Sequence, residues 1–95
     1  MIGAYIIHSE KLNRFYIGST TDIDQRIINH NNHHHGKHSF TAKANDWKLF
    51  LFIPTNEYPQ ANRIELKIKK KKSATFNRSL KQYPELIKKL LSNTK

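Results

Sequence analysis

The sequence predicts a small α+β fold: a three-stranded antiparallel sheet flanked by helices, in the order β-β-α-β-α-α, making one domain of residues 1–95. Three observations lead there. Two runs rich in aromatic and β-branched residues, 2–8 and 14–18, are separated by a short polar stretch. A third apolar run, 47–53, follows a long polar segment. Three further segments carry apolar residues at helical spacing.

The elements follow in order. Residues 2–8 form the first strand and residues 14–18 the second, and the polar residues 9–13 close a hairpin. Strand alternation puts Tyr5 on one face with Gly3 and Ile7, and Tyr16 on one face with Gly18. A suitable register then brings both phenols to the same side of the sheet. Thr21 with Asp24 three residues on has the form of a capping box, and it predicts a helix over 22–30. Ile23, Arg26, Ile27 and His30 share a face of that helix, so two polar side chains turn toward the protein body. Residues 31–46 read as a long, His-rich loop, of the kind that is usually functional or mobile. Residues 47–53 read as the best-buried strand. Pro59 suits the first turn of a helix over 58–70, whose stripe Ala61–Ile64–Ile68 is interrupted by Glu65. Residues 73–79 read as a connector or a short helical turn, and residues 84–91 as a last amphipathic helix with Leu86, Ile87, Leu90 and Leu91 inward.

Composition narrows the partners. Lys and Arg total 17 against 7 acidic residues, a net charge of +10, which points to a polyanion, nucleic acid before an anionic membrane surface. No apolar run reaches the ~20 residues that span a bilayer, and no leader pattern opens the chain. A cytoplasmic protein without membrane attachment is expected. With no cysteine there is neither a disulfide framework nor a thiolate metal site.

Gly3-Ala4-Tyr5, then Tyr16-Ile17-Gly18, then Arg26 with His30 one turn later, then Glu65 within Asn62-Arg63-Ile64-Glu65-Leu66-Lys67, then Asn77 in Phe76-Asn77-Arg78 resemble, in this order, the motifs of the GIY-YIG nuclease family. The similarity covers roughly residues 2–80 and is nearest to small single-domain members and to the N-terminal domain found in the bacterial excinuclease. Ala4 departs from the Ile or Val that the family usually carries. The resemblance implies an endonuclease that hydrolyses DNA phosphodiesters with Mg²⁺ or Mn²⁺, in DNA repair or recombination. It implies catalytic roles for Tyr5, Tyr16, Arg26, His30, Glu65 and Asn77, with Glu65 as the metal ligand.

The chemistry of these residue types agrees with that implication. Phosphodiester hydrolysis needs an in-line water, charge neutralisation at the phosphate and help for the departing oxygen. A hard cation such as Mg²⁺ keeps most of its waters and takes one or two protein carboxylates, which Glu65 would supply. The Arg26 guanidinium fits phosphate oxygens in a fork. Tyr16 or Tyr5 would take the proton of the attacking water; a phenol titrates near ~10 and needs cations nearby to do so at neutral pH. Tyr16 is expected nearer that water, since Gly18 and the Arg26 helix follow it directly. His30 would position water or bond a phosphate oxygen, and Asn77 would close the site.

Gly18 would permit a close approach of substrate backbone or the following helix. Lys37 and Lys43 in the long loop, and the basic run containing Lys69, Lys70, Lys71 and Lys72, would meet DNA phosphates. His33, His34, His35 and His38 lack the spacings of structural zinc sites and read as part of the same cationic loop. The substrate is expected to be double- or single-stranded DNA rather than RNA, with dimerisation or a partner protein supplying specificity. The alternative is a degenerate module that binds nucleic acid without cutting it.

Overall fold

The central strand, β1 (Gly3–Ser9), pairs antiparallel with β2 (Arg14–Thr20) on one side and β3 (Lys48–Pro54) on the other, giving the sheet order β2-β1-β3. The computed structural model describes residues 1–32 and 43–94. The β1–β2 turn closes at Asn13, whose backbone N–H donates to the Glu10 carbonyl at 3.2 Å. Asn13 takes a left-handed φ of 50°, which asparagine tolerates better than most residues. Asp46 clasps this hairpin end from outside: its carboxylate accepts from the Ser9 hydroxyl at 2.5 Å and the Lys11 N–H at 3.0 Å. These two donors hold the Asp46 carboxyl below its ordinary value.

Helix α1 (Ile23–Asn31) follows β2 after a short turn. Its cap is Asp22, whose side chain accepts from the Gln25 N–H at 3.2 Å, in place of the expected Thr21. Helix α2 (Tyr58–Lys71) begins with Pro59 in its first turn and ends at Lys72 in the left-handed region. The expected connector after it is a nine-residue helix, α3 (Ala74–Gln82), because the Ser73 hydroxyl accepts from the Phe76 N–H and caps it. Pro84 then opens α4 (Pro84–Asn93).

The sheet has two covered faces. Ala4, Ile6 and Ile53 turn to one side and pack with Ile64 and Ile68 of α2 and Leu80 of α3. Tyr5 and Ile7 turn to the other and pack with Ile23 of α1, Ala44 and Trp47. The best-buried strand is β1, not β3 as the apolar run suggested: Gly3–Ile7 are all buried, whereas Leu49 on β3 is exposed. A central strand is covered by neighbours on both edges as well as both faces. An edge strand with the same apolar composition is not.

Asn31, at the end of α1, acts as a two-pronged clamp on the chain entering β3. Its amide accepts from the Trp47 N–H at 2.8 Å and donates to the Trp47 carbonyl at 3.0 Å. That fixes the last turn of α1, and with it His30, against the sheet.

Candidate active site

Tyr5 and Tyr16 lie on the same face of the sheet. The register pairs Tyr5 with Gly18 and Ile7 with Tyr16, so the two phenols occupy neighbouring positions on adjacent strands. Their burial differs: Tyr5, on the central strand, is 1% exposed, while Tyr16, on the edge strand, is half-buried. Gly18 has a direct reason to lack a side chain. A Cβ there would collide with the hydroxyl and ring of Tyr5, so the close approach that Gly18 permits is that of the Tyr5 phenol.

Arg26 and His30 reach the same hydroxyl from α1. The Arg26 Nε–H donates to Tyr5 Oη at 3.2 Å, and Tyr5 Oη lies 2.8 Å from His30 Nε2. Guanidinium nitrogens only donate, so Tyr5 accepts from Arg26, while the direction of its bond to His30 follows the tautomer of the imidazole. The His30 ring, 1% exposed, also meets the Tyr16 ring edge-on at a centroid distance of 5.1 Å. Burial pushes the Tyr5 phenol up to about 12 from its ordinary 10.0; the Arg26 guanidinium pulls it down, and nearby Tyr16 and Glu65 raise it further. For Arg26, burial opposes the charge, but the hydrogen bond to Tyr5 and the surrounding phenols leave the guanidinium held more firmly charged than usual.

Glu65 arrives from the other side of the β2 edge. On α2 it follows Ile64, so the turn that buries Ile64 in the core swings Glu65 toward Ser19 on β2. One carboxylate oxygen accepts from the Ser19 hydroxyl at 2.7 Å. Ser19 Oγ also lies 2.5 Å from the Asn62 side-chain amide. A hydroxyl has one proton to give; with that proton on Glu65, the Asn62 amide serves Ser19 best by turning its NH₂ toward it. The second carboxylate oxygen pairs with Lys69 Nζ at 2.5 Å, and that ammonium sits 5.9 Å from the centroid of the Tyr16 ring. Lys69 thus bridges the carboxylate on one side of the edge strand and the phenol on the other.

Glu65 is the carboxylate here that could hold a divalent cation. Glu65 is 19% exposed with one oxygen fixed by Ser19, while Lys69 on the other is 45% exposed and displaceable, since exposed pairs of this kind contribute only about 0–1 kcal/mol. Among the described residues no group of three or more His, Cys, Asp or Glu side chains converges, so Glu65 would be the lone protein carboxylate, as Mg²⁺ permits.

The remaining expected residues divide. Asn77, 5% exposed on α3, has a side-chain oxygen with no hydrogen-bond partner and lines a groove of about 250 Å³ with Arg14, Lys69 and Lys72 along the outer edge of β2. Lys70 and Lys71 stand on the opposite flank of α2, in a second groove with Lys67 and Lys89. At 3.6 residues per turn no helix can present four consecutive lysines to one ligand. Lys43 is exposed; His33, His34, His35, Lys37 and His38 lie outside the described residues. Sequence reasoning missed Ser19, Asn62 and the Asn31 clamp. Ser19 was legible in principle, as a polar residue alternating with Ile17 on the face that α2 covers.

No curated protein and no solved structure gives a significant match. The family model described as the GIY-YIG catalytic domain matches residues 1–79, most of the 95-residue chain and everything from β1 into α3. With the two tyrosines on one face, Arg26 and His30 on α1, and Glu65 at the β2 edge, that match assigns the chain: it is a small member of the GIY-YIG family, with the α+β fold and nuclease-type domain of that family.

Proposed function

We propose that this protein is a divalent-metal-dependent endonuclease that hydrolyses DNA phosphodiester bonds, leaving 5′-phosphate and 3′-hydroxyl ends. The observation that carries the reading is the hydrogen-bonded chain Arg26–Tyr5–His30 set beside the half-buried Tyr16, with Glu65 across the β2 edge.

The roles follow from hydrogen bonding and burial. The Tyr5 hydroxyl is already held by Arg26 and His30, and its phenol is held near 12, so it serves as a fixed support rather than as the base. Tyr16, on the accessible edge strand, takes the proton of the attacking water. Arg26 uses Nε on Tyr5 and keeps its terminal NH₂ groups for the phosphate oxygens. His30 holds Tyr5 in place and flanks the Tyr16 ring. Glu65, oriented by Ser19 and Asn62, would hold Mg²⁺ or Mn²⁺. Such a cation neutralises charge on the phosphate and helps the departing oxygen leave.

A second reading draws on the Lys69–Glu65 ion pair: Lys69 permanently neutralises Glu65, and the domain binds DNA without cutting it. Incubation of supercoiled plasmid with wild type and Tyr16→Phe separates the two, in Mg²⁺, Mn²⁺ or EDTA. The nuclease reading predicts nicking with either metal, none with EDTA, and a loss of ~10²–10⁴-fold in rate for Tyr16→Phe with DNA binding retained. Tight binding with no cleavage in any metal selects the second reading.

A further inference from the structure

The larger groove lies away from this site. It has a volume of about 580 Å³ and runs along the flank of α2 opposite to Glu65 and Lys69, walled by α3 and α4. It is lined by Phe76, Leu86 and Leu90, with Lys67, Lys70, Lys89 and Asn93 around them and the Lys71 ammonium over the Phe76 ring, 5.4 Å from its centroid. Helix α4 supplies half of the lining and lies beyond the residues that the family model matches.

The packing of α4 leaves work undone. Its four inward residues, Leu86, Ile87, Leu90 and Leu91, are only half-buried, although the helix has a clearly apolar side. Three hydrogen bonds fasten its C-terminal end to α2: Gln60 Nε2 donates to the Leu91 carbonyl at 3.1 Å and to the Thr94 hydroxyl at 3.3 Å, and Arg63 Nε to the Thr94 carbonyl at 2.7 Å. The helix is thus anchored at one end while part of its apolar side is open toward the lysines.

We propose that this groove is a docking site for an acidic amphipathic helical segment of a partner protein. An apolar floor between two helices takes the apolar side chains of a third helix at i, i+3, i+4 and i+7, and a ring of ammonium groups selects Glu and Asp on the flanks of that helix. Other occupants match less of the groove. Duplex DNA would satisfy the lysines and leave Phe76, Leu86 and Leu90 unused. A second copy of a chain with net charge +10 would bring like charge against the rim. A flat anionic bilayer does not enter a concave floor.

The test titrates the full-length protein into a fluorescein-labelled synthetic peptide, Glu-rich with Leu at i, i+3, i+4 and i+7, against a scrambled peptide of the same composition. A single-stranded oligonucleotide and anionic phospholipid vesicles serve as further probes. The patterned peptide should bind about tenfold or more tightly than the scrambled one. Lys89→Glu should weaken it about fivefold or more at low salt, and Leu86→Glu should remove the preference for pattern. Backbone amide shifts on binding should concentrate at Phe76, Leu86 and Leu90 rather than at Tyr16 and Arg26. Should Leu86→Glu fail to fold, the pattern preference of wild type and the Lys89→Glu loss decide the matter. Equal affinity for both peptides would reduce the groove to bulk charge and overturn the proposal. So would displacement of the peptide by the oligonucleotide or vesicles with amide shifts at the same three residues.

Discussion

Replacing Tyr5 with Phe removes one oxygen from the centre of the molecule and strands two partners. His30 Nε2, on a ring 1% exposed, loses its hydrogen bond to Tyr5, and the Arg26 Nε–H loses its acceptor. Leaving a buried polar group unpaired costs about 1–3 kcal/mol, which for a domain of this size lowers the melting temperature by roughly 4–8 °C per kcal/mol. The ionisation of Tyr5 adds a pH signature. Its folded value is about 12 against an ordinary 10.0, so its contribution is fully present below pH 10 and is lost as pH rises toward 12. By the linkage relation, wild type should lose about 2 kcal/mol at pH 11.5 through this group alone, a loss that Tyr5→Phe cannot show. Urea unfolding followed by circular dichroism at pH 7, 9 and 11.5 measures both effects. Wild type should be the more stable protein at pH 7, and the gap should narrow by about that amount in alkali. A constant gap across the three pH values would mean that Tyr5 titrates as an ordinary phenol, and the argument that excludes it as the base would fail.

Three further outcomes follow from the same geometry. Arg26→Lys keeps the charge but loses both the Nε–H bond to Tyr5 and the fork, so single-turnover cleavage should fall about 10²-fold or more with the fold intact by circular dichroism; full activity would make Arg26 a surface cation. Lys69→Gln/Lys72→Gln should flatten the slope of log affinity against log salt by up to about two, and Lys70→Gln/Lys71→Gln by less, because only the first pair lines the β2 edge with Arg14. Gly18→Ala drives a methyl into the Tyr5 ring and hydroxyl and should destabilise by about 1–3 kcal/mol in urea titration; a neutral effect would show that Tyr5 moves freely.

The parts of the site that repeat with a short period were readable from sequence. Strand alternation has a period of two, so Tyr5 and Tyr16 could share a face only in certain registers, and the observed pairing of Tyr5 with Gly18 is one of them. Helical spacing likewise placed Arg26 with His30, and singled out Glu65 beside the Ala61–Ile64–Ile68 stripe. What escaped was non-local or arbitrated by a single hydrogen bond. Asp22 and Thr21 are both good caps, and only the Gln25 N–H chooses between them. The apolar run of β3 looks the same whether central or at an edge. Helix α3 was hidden by its polar composition, and the Ser19–Glu65 contact joins residues 46 positions apart.

Cleavage by Glu65→Gln tests the central claim most directly. The substitution keeps the shape of the side chain and its bond to Ser19 while removing the charge that would hold a cation beside Tyr16. Measured at saturating Mg²⁺ under single-turnover conditions with DNA binding followed in parallel, the account predicts loss of cleavage with affinity nearly unchanged. Cleavage by Glu65→Gln at the wild-type rate would contradict it.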